Sequence, residues 1–112
     1  MYTQGILGGK FSITRLVEIM STNPAKIFNL YPQKGIIASG SDADLVIYDP
    51  EAGRSVIHAS NLHSNMDHTI YEGLEVQGKV QTTILRGQII VHQGWLQQPN
   101  PTGQLLRRPK YK

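Results

Sequence analysis

Cysteine is absent from this chain of 112 residues. Without it there is no disulfide framework, no zinc ribbon and no thiol nucleophile, so a disulfide-stapled secreted scaffold is excluded. Long apolar runs are missing too. None approaches the ~18 residues of a membrane span, and Met1 to Lys10 lacks the basic end and apolar stretch of a signal peptide. The expectation is a soluble, unexported chain in the cytoplasm, with no membrane partner. Basic charge is scarce once the end of the chain is set aside. Of 11 Lys and Arg against 8 Asp and Glu, four are Arg107, Arg108, Lys110 and Lys112, so the body is close to neutral. A duplex needs a positive face rather than a positive end, and no nucleic-acid partner is expected. The length admits about one small domain, which excludes a two-domain enzyme.

What is present reads as short elements. Residues 2 to 10 hold three glycines without a period, which predicts a loop. Ile13, Leu16, Val17 and Met20 follow a helical stripe with Ser12 placed as its cap. Ser21-Thr22-Asn23-Pro24 predicts a second cap with proline at a first helical position, opening a short helix through Ala25, Ile27, Phe28 and Leu30. That helix is apolar on most sides and should be packed on several of them, ending near Asn29 and Pro32. The period then turns strand-like. Gly35 to Ala38 is a short apolar run, and Gly40-Ser41-Asp42-Ala43-Asp44 is a turn cluster. Leu45 to Tyr48 does not alternate and predicts a strand buried on both faces, stopped by Asp49 to Gly53. Ser55 to His58 is a further strand candidate, and Ala59 to Tyr71 a long ordered loop. Val80 to Leu85 and Gln88 to His92 flank Arg86-Gly87, the best hairpin signal in the chain. From Gln97 onward prolines and glycine interrupt a polar, basic tail.

No constellation in this pattern reaches a catalytic site. The histidines are His58, His63, His68 and His92; His63 and His68 are five apart in an aperiodic loop beside Asp67, matching neither H-x-H nor H-E-x-x-H. Polar loop side chains bonded to backbone explain them, and His92 is expected to face solvent or pack beside Trp95. Asp42 and Asp44 could divide acid and base work, but turn hydrogen bonds leading into a strand account for both. Ser39, Ser41 and Ser64 lack a nucleophile elbow, and Gly5, Gly8 and Gly9 form no phosphate loop. Catalytic, cofactor-binding and metal residues are all expected to be absent. The apolar second helix and strand imply instead that these elements pack against more polypeptide than the chain contains.

Particular runs carry a resemblance. Ser21-Thr22-Asn23-Pro24-Ala25-Lys26-Ile27-Phe28-Asn29-Leu30-Tyr31-Pro32, Lys34-Gly35, the run Gly40 to Pro50, Tyr71-Glu72-Gly73-Leu74-Glu75-Val76-Gln77-Gly78 and Arg86-Gly87-Gln88 together resemble the C-terminal part of dihydropyrimidinases and D-hydantoinases. G-S-D-A-D-L-V is widespread among amidohydrolases, whereas S-T-N-P-A-K-I-F with Y-E-G-x-E-V points to the cyclic amidohydrolases. The resemblance implies an α+β fragment. Two short helices from the end of a (β/α)8 barrel, with its last loop, would occupy 1–32, the C-terminal strands of a composite β-sandwich 33–96, and an extended basic tail 97–112. It also implies a parent that hydrolyses cyclic amides with two divalent metals, commonly zinc, bridged by a carboxylated lysine. The family's metal ligands lie upstream of the matched region, and Lys26 belongs to the S-T-N-P-A-K run rather than to the metal centre. The implied partners are the N-terminal part of the same enzyme and neighbouring subunits of a homotetramer, with a cyclic diamide substrate only in the complete enzyme. This piece alone is expected to be inactive, structural and oligomer-forming. Two alternatives are a segment of a non-catalytic dihydropyrimidinase-like assembly protein and a stand-alone small interaction protein. Asn29 stands where relatives often have glycine, at a helix end where Asn is also tolerated.

Overall fold

Two helical segments lead into a four-stranded antiparallel sheet in the computed structural model, which describes residues 1–62, 64–97 and 100–107. Helix α1 is Ile13–Val17 and α2 is Asn23–Ile27. Ser12 caps α1 as its sequence predicts, with the Arg15 amide donating to its Oγ at 3.2 Å. The second cap does not form. Thr22 is helical at φ −66° and makes no capping bond, because Glu18–Thr22 is a wide helical turn that carries α1 into α2 without a break. The Asn23 amide reaches the Glu18 carbonyl five residues back, and the widened turn accommodates Pro24, which has no amide to offer. Thr22 uses its hydroxyl elsewhere, donating to the Gly35 carbonyl at 2.9 Å. Asn29 ends the helix at φ +56°, with its amide on the Lys26 carbonyl and the Leu30 amide on the Ala25 carbonyl. That is the left-handed helix stop in which Asn replaces glycine.

The N-terminal stretch departs from the predicted loop. Tyr2–Leu7 is another wide helical turn, fixed from outside its own sequence. Thr3 Oγ1 accepts the Gln77 amide at 2.9 Å and donates to the Gln77 carbonyl at 3.4 Å, while the Tyr2 ring lies 5.0 Å from that of Tyr48. A tertiary contact has overridden weak local propensity. The apolar run Ile36 to Ala38 is not a strand, and Ile37 is exposed.

Strand β1 is Leu45–Val56, β2 Glu75–Leu85, β3 Gln88–His92 and β4 Trp95–Leu96, paired in that order. The predicted stop at Asp49 to Gly53 is a bulge within β1. Asp49 pairs with Lys79 and Arg54 with Gln77, so four residues on β1 oppose Gly78 alone. Gly78 has φ +80°, and a Cβ there would lie 2.3 Å from the Tyr48 hydroxyl oxygen and 2.9 Å from the Asp49 carbonyl oxygen. Both hairpin turns follow one scheme. Arg86 and Gly87 have φ +46° and +79°, Gln93 and Gly94 +50° and +84°, the mirror-image turn whose twist matches antiparallel strands.

The sheet has no dry face. Ile47, Thr82, His92 and Trp95 form one row across the four strands, and Val46, Thr83, Val91 and Leu96 the adjacent row on the other face. Ile47 is 46% exposed and Trp95 76%, Val46 62% and Leu96 63%, so the expected burial of Leu45 to Tyr48 on both sides is not achieved within this chain. Ile27 and Phe28 of the second helical segment are exposed as well. The accessible surface is 8972 Å², against about 6200 Å² for a compact monomer of this size. Gly78→Ala should destabilise the sheet by about 3 kcal/mol, combining left-handed backbone strain with displacement of Tyr48; thermal unfolding with amide exchange along Tyr48–Asp49 and Gln77–Lys79 checks it.

Candidate functional site

The most organised polar cluster joins the end of the helical unit to the sheet. Lys34 follows the helix stop, its amide donating to the Leu30 carbonyl, and its ammonium bridges two carboxylates. It lies 2.7 Å from Asp42 Oδ2 and also binds Asp44 Oδ2. Gln33 Nε2 donates to Asp42 at 3.2 Å, and the second oxygen of Asp44 accepts the Arg86 amide at 2.8 Å. Asp42 and Asp44 are therefore not the side-chain turn residues expected of the sequence; Lys34, which the spacing did not single out, holds both. Burial pushes Lys34 down, but its hydrogen bonds to Asp42 and Asp44 outweigh this and hold it above its ordinary value. The Lys34 hydrogen bond lowers Asp42. For Asp44, burial acts upward and is overcome by Lys34 and the Arg86 amide, so it too is lowered. A protonated lysine bound between two ionised carboxylates is neither base nor nucleophile near neutral pH. An open cleft of about 450 Å³ adjoins the cluster, with Leu85 and Arg86 on the sheet side and Gly103, Gln104 and Leu106 of the tail opposite.

The histidines are not brought together. His58 Nδ1 lies 2.7 Å from Glu72 Oε1, whose other oxygen accepts the Ala59 amide at 2.8 Å. The bonds from His58 and then Ala59 lower Glu72 below its usual range. His68 pairs with its neighbour Asp67 at 2.8 Å, and His92 with the buried Thr82 hydroxyl at 2.9 Å, across from Trp95. His68 thus bonds a side chain rather than the backbone expected of a loop histidine, whereas His92 lies across from Trp95, beside which it was expected. His63 lies outside the described residues. Among the described residues no group of three His, Asp or Glu could hold a metal ion. Ser41 donates to the Pro32 carbonyl nine residues back, and Ser64 accepts the Met66 amide in a local turn bond. Ser39 is exposed, and Lys26 stands 5.2 Å over the Tyr31 ring. Glu72 and Arg86 were missed as partners for the same reason as Lys34: each joins segments whose separation in sequence carries no periodic signal.

The Amidohydrolase family profile matches residues 7–90. The chain belongs to the amidohydrolase family. It is 46% identical over all 112 residues to the D-hydantoinase of Ralstonia pickettii, of which it covers 24%. A solved D-hydantoinase superimposes with a TM-score of 0.91 at 47% identity, over 97% of this chain and 24% of that one. The D-hydantoinase (dihydropyrimidinase) from Thermus sp. does so with a TM-score of 0.89 at 43% identity, over 96% and 23%. This amidohydrolase chain therefore spans about a quarter of the length of the curated relatives and solved structures it matches. No helix among the described residues is long and apolar enough to cross a membrane.

The Lys34 cluster has a defined pH signature. Asp42 and Asp44 are depressed in the folded state, so their stabilisation is present above the unfolded value of about 4 and lost as pH falls through the lower folded values. Lys34 is raised, so its share is present below about 10.4 and lost as pH rises through the folded value. Melting temperature should plateau between these limits. Lys34→Met should flatten both limbs, each incompletely, because Glu72 also contributes to the acid one and Tyr48, raised by burial, to the alkaline one; a pH series of thermal unfolding reads this out.

Proposed function

We propose that this chain is the C-terminal segment of a cyclic amidohydrolase of the hydantoinase and dihydropyrimidinase type. Its role is structural: the helical segments (1–32) close a (β/α)8 barrel with their preceding loop, the strands (33–96) complete a composite β-sandwich, and the tail (97–112) contributes oligomer contacts. The reaction assigned to the whole protein is hydrolytic opening of a cyclic amide C–N bond, with a metal centre held by polypeptide outside these residues. The observation that carries the proposal is full-length similarity of this chain to only a quarter of each D-hydantoinase. The exposed apolar rows on both faces of the sheet support it physically, since such a sheet needs a packing layer on each side.

Purified alone with added zinc, the 112 residues should not open hydantoin, while the protein carrying them behind an upstream H-x-H region should; turnover by the chain alone would refute the assignment. Removing residues 97–112 from that longer protein should shift its oligomer distribution toward smaller species in sedimentation and leave its metal content unchanged. Unaltered assembly would count against the role given to the tail.

A further inference from the structure

Arg86 stands where its own backbone conformation is disfavoured. It is the first central residue of the β2–β3 turn, at φ +46°, a left-handed position for which Asn, Asp or Gly is the ordinary choice. The turn draws on its backbone alone: the Arg86 amide donates to Asp44 and the Gly87 amide to the Ala43 carbonyl, bonds that any residue could make. The side chain is used for something else. Its Nη2 donates to the carbonyl oxygen of Thr102, sixteen residues further on.

Thr102 is half-buried at this contact, and Gly103, Gln104 and Leu106 line the cleft that Arg86 and Leu85 form with the Lys34 cluster. Asp42 and Asp44 are already bound by Lys34, which leaves the Arg86 guanidinium as the charged group committed to the tail. Leu105, between these lining residues, points away and is 86% exposed.

We propose that Arg86 is the anchor seating residues 102–106 against the sheet of their own chain, so that this segment forms one wall of the cleft. A disfavoured backbone is retained because the guanidinium supplies the directional bond that fixes the tail's course. The anchored segment then presents Leu105 outward. This anchoring is independent of the hydantoinase assignment, because it concerns only how the tail leaves the sheet.

Spin labels attached through Gln81→Cys and Leu105→Cys in the intact protein, diluted with unlabelled protein, report the tail's position as a distance distribution. With Arg86 present the distribution should be narrow. Arg86→Gly and Arg86→Asn, which suit the turn but lack the guanidinium, should broaden it at least about twofold while leaving the melting temperature unchanged or higher. A narrow distribution that survives both substitutions would overturn the proposal, since other contacts or a neighbouring subunit would then hold the tail. Broadening accompanied by a lower melting temperature would overturn it as well, because Arg86 would then serve the turn. Hydantoin hydrolysis in the same variants tests the family assignment separately.

Discussion

The Asp44 carboxylate is the joint on which the arrangement of this chain depends. One oxygen binds the Lys34 ammonium just after the helix stop, and the other receives the Arg86 amide in the β2–β3 turn. Three segments distant in sequence are thereby held at one point, at the start of the first strand. The left-handed turn places the Arg86 and Gly87 amides toward the Asp44 side chain and the Ala43 carbonyl, so the hairpin and the connection from the helices fix one another. A second joint at the other end of the sheet works through neutral groups. Thr3 meets both backbone groups of Gln77, and the Tyr48 hydroxyl donates to the same carbonyl at 2.6 Å, opposite the bulge that Gly78 permits.

Polar joints do this work because the chain has almost no core. Among the described residues Ala25 and Thr82 are the buried side chains, and many large apolar residues of the helices and of both sheet faces remain open to solvent. Such a balance is poor for an independent domain and ordinary for a layer of a larger one, since burial of apolar surface is the main favourable term in folding. The D-hydantoinases whose structures superimpose on this chain are about four times its length.

Much of the local structure was legible in the residues. The Ser12 cap, the helix stop at Asn29 and the hairpin at Arg86-Gly87 all follow from side chains acting within a few residues of themselves. The misreadings share a cause. Ser21 to Pro24 looks like a cap and lies in a continuous helical run, because the wide turn removes the conflict that Pro24 would create. Asp49 to Gly53 looks like a strand end and is a bulge, because β2 runs on past it with Gly78 opposite. Residues 2 to 7 look like a loop and are helical, because Gln77 holds Thr3.

Composition, family membership and the lack of any metal-binding spacing were decided by the sequence itself, since each depends on residue identity and short-range order. Only the tertiary structure decided that Lys34 takes both Asp42 and Asp44, that His58, His68 and His92 have separate partners, and that Arg86 reaches Thr102. Those pairings join positions from one to 16 residues apart with no common period, and a hydrogen bond is selected by where the folded backbone brings donor and acceptor, which no spacing rule along the chain encodes.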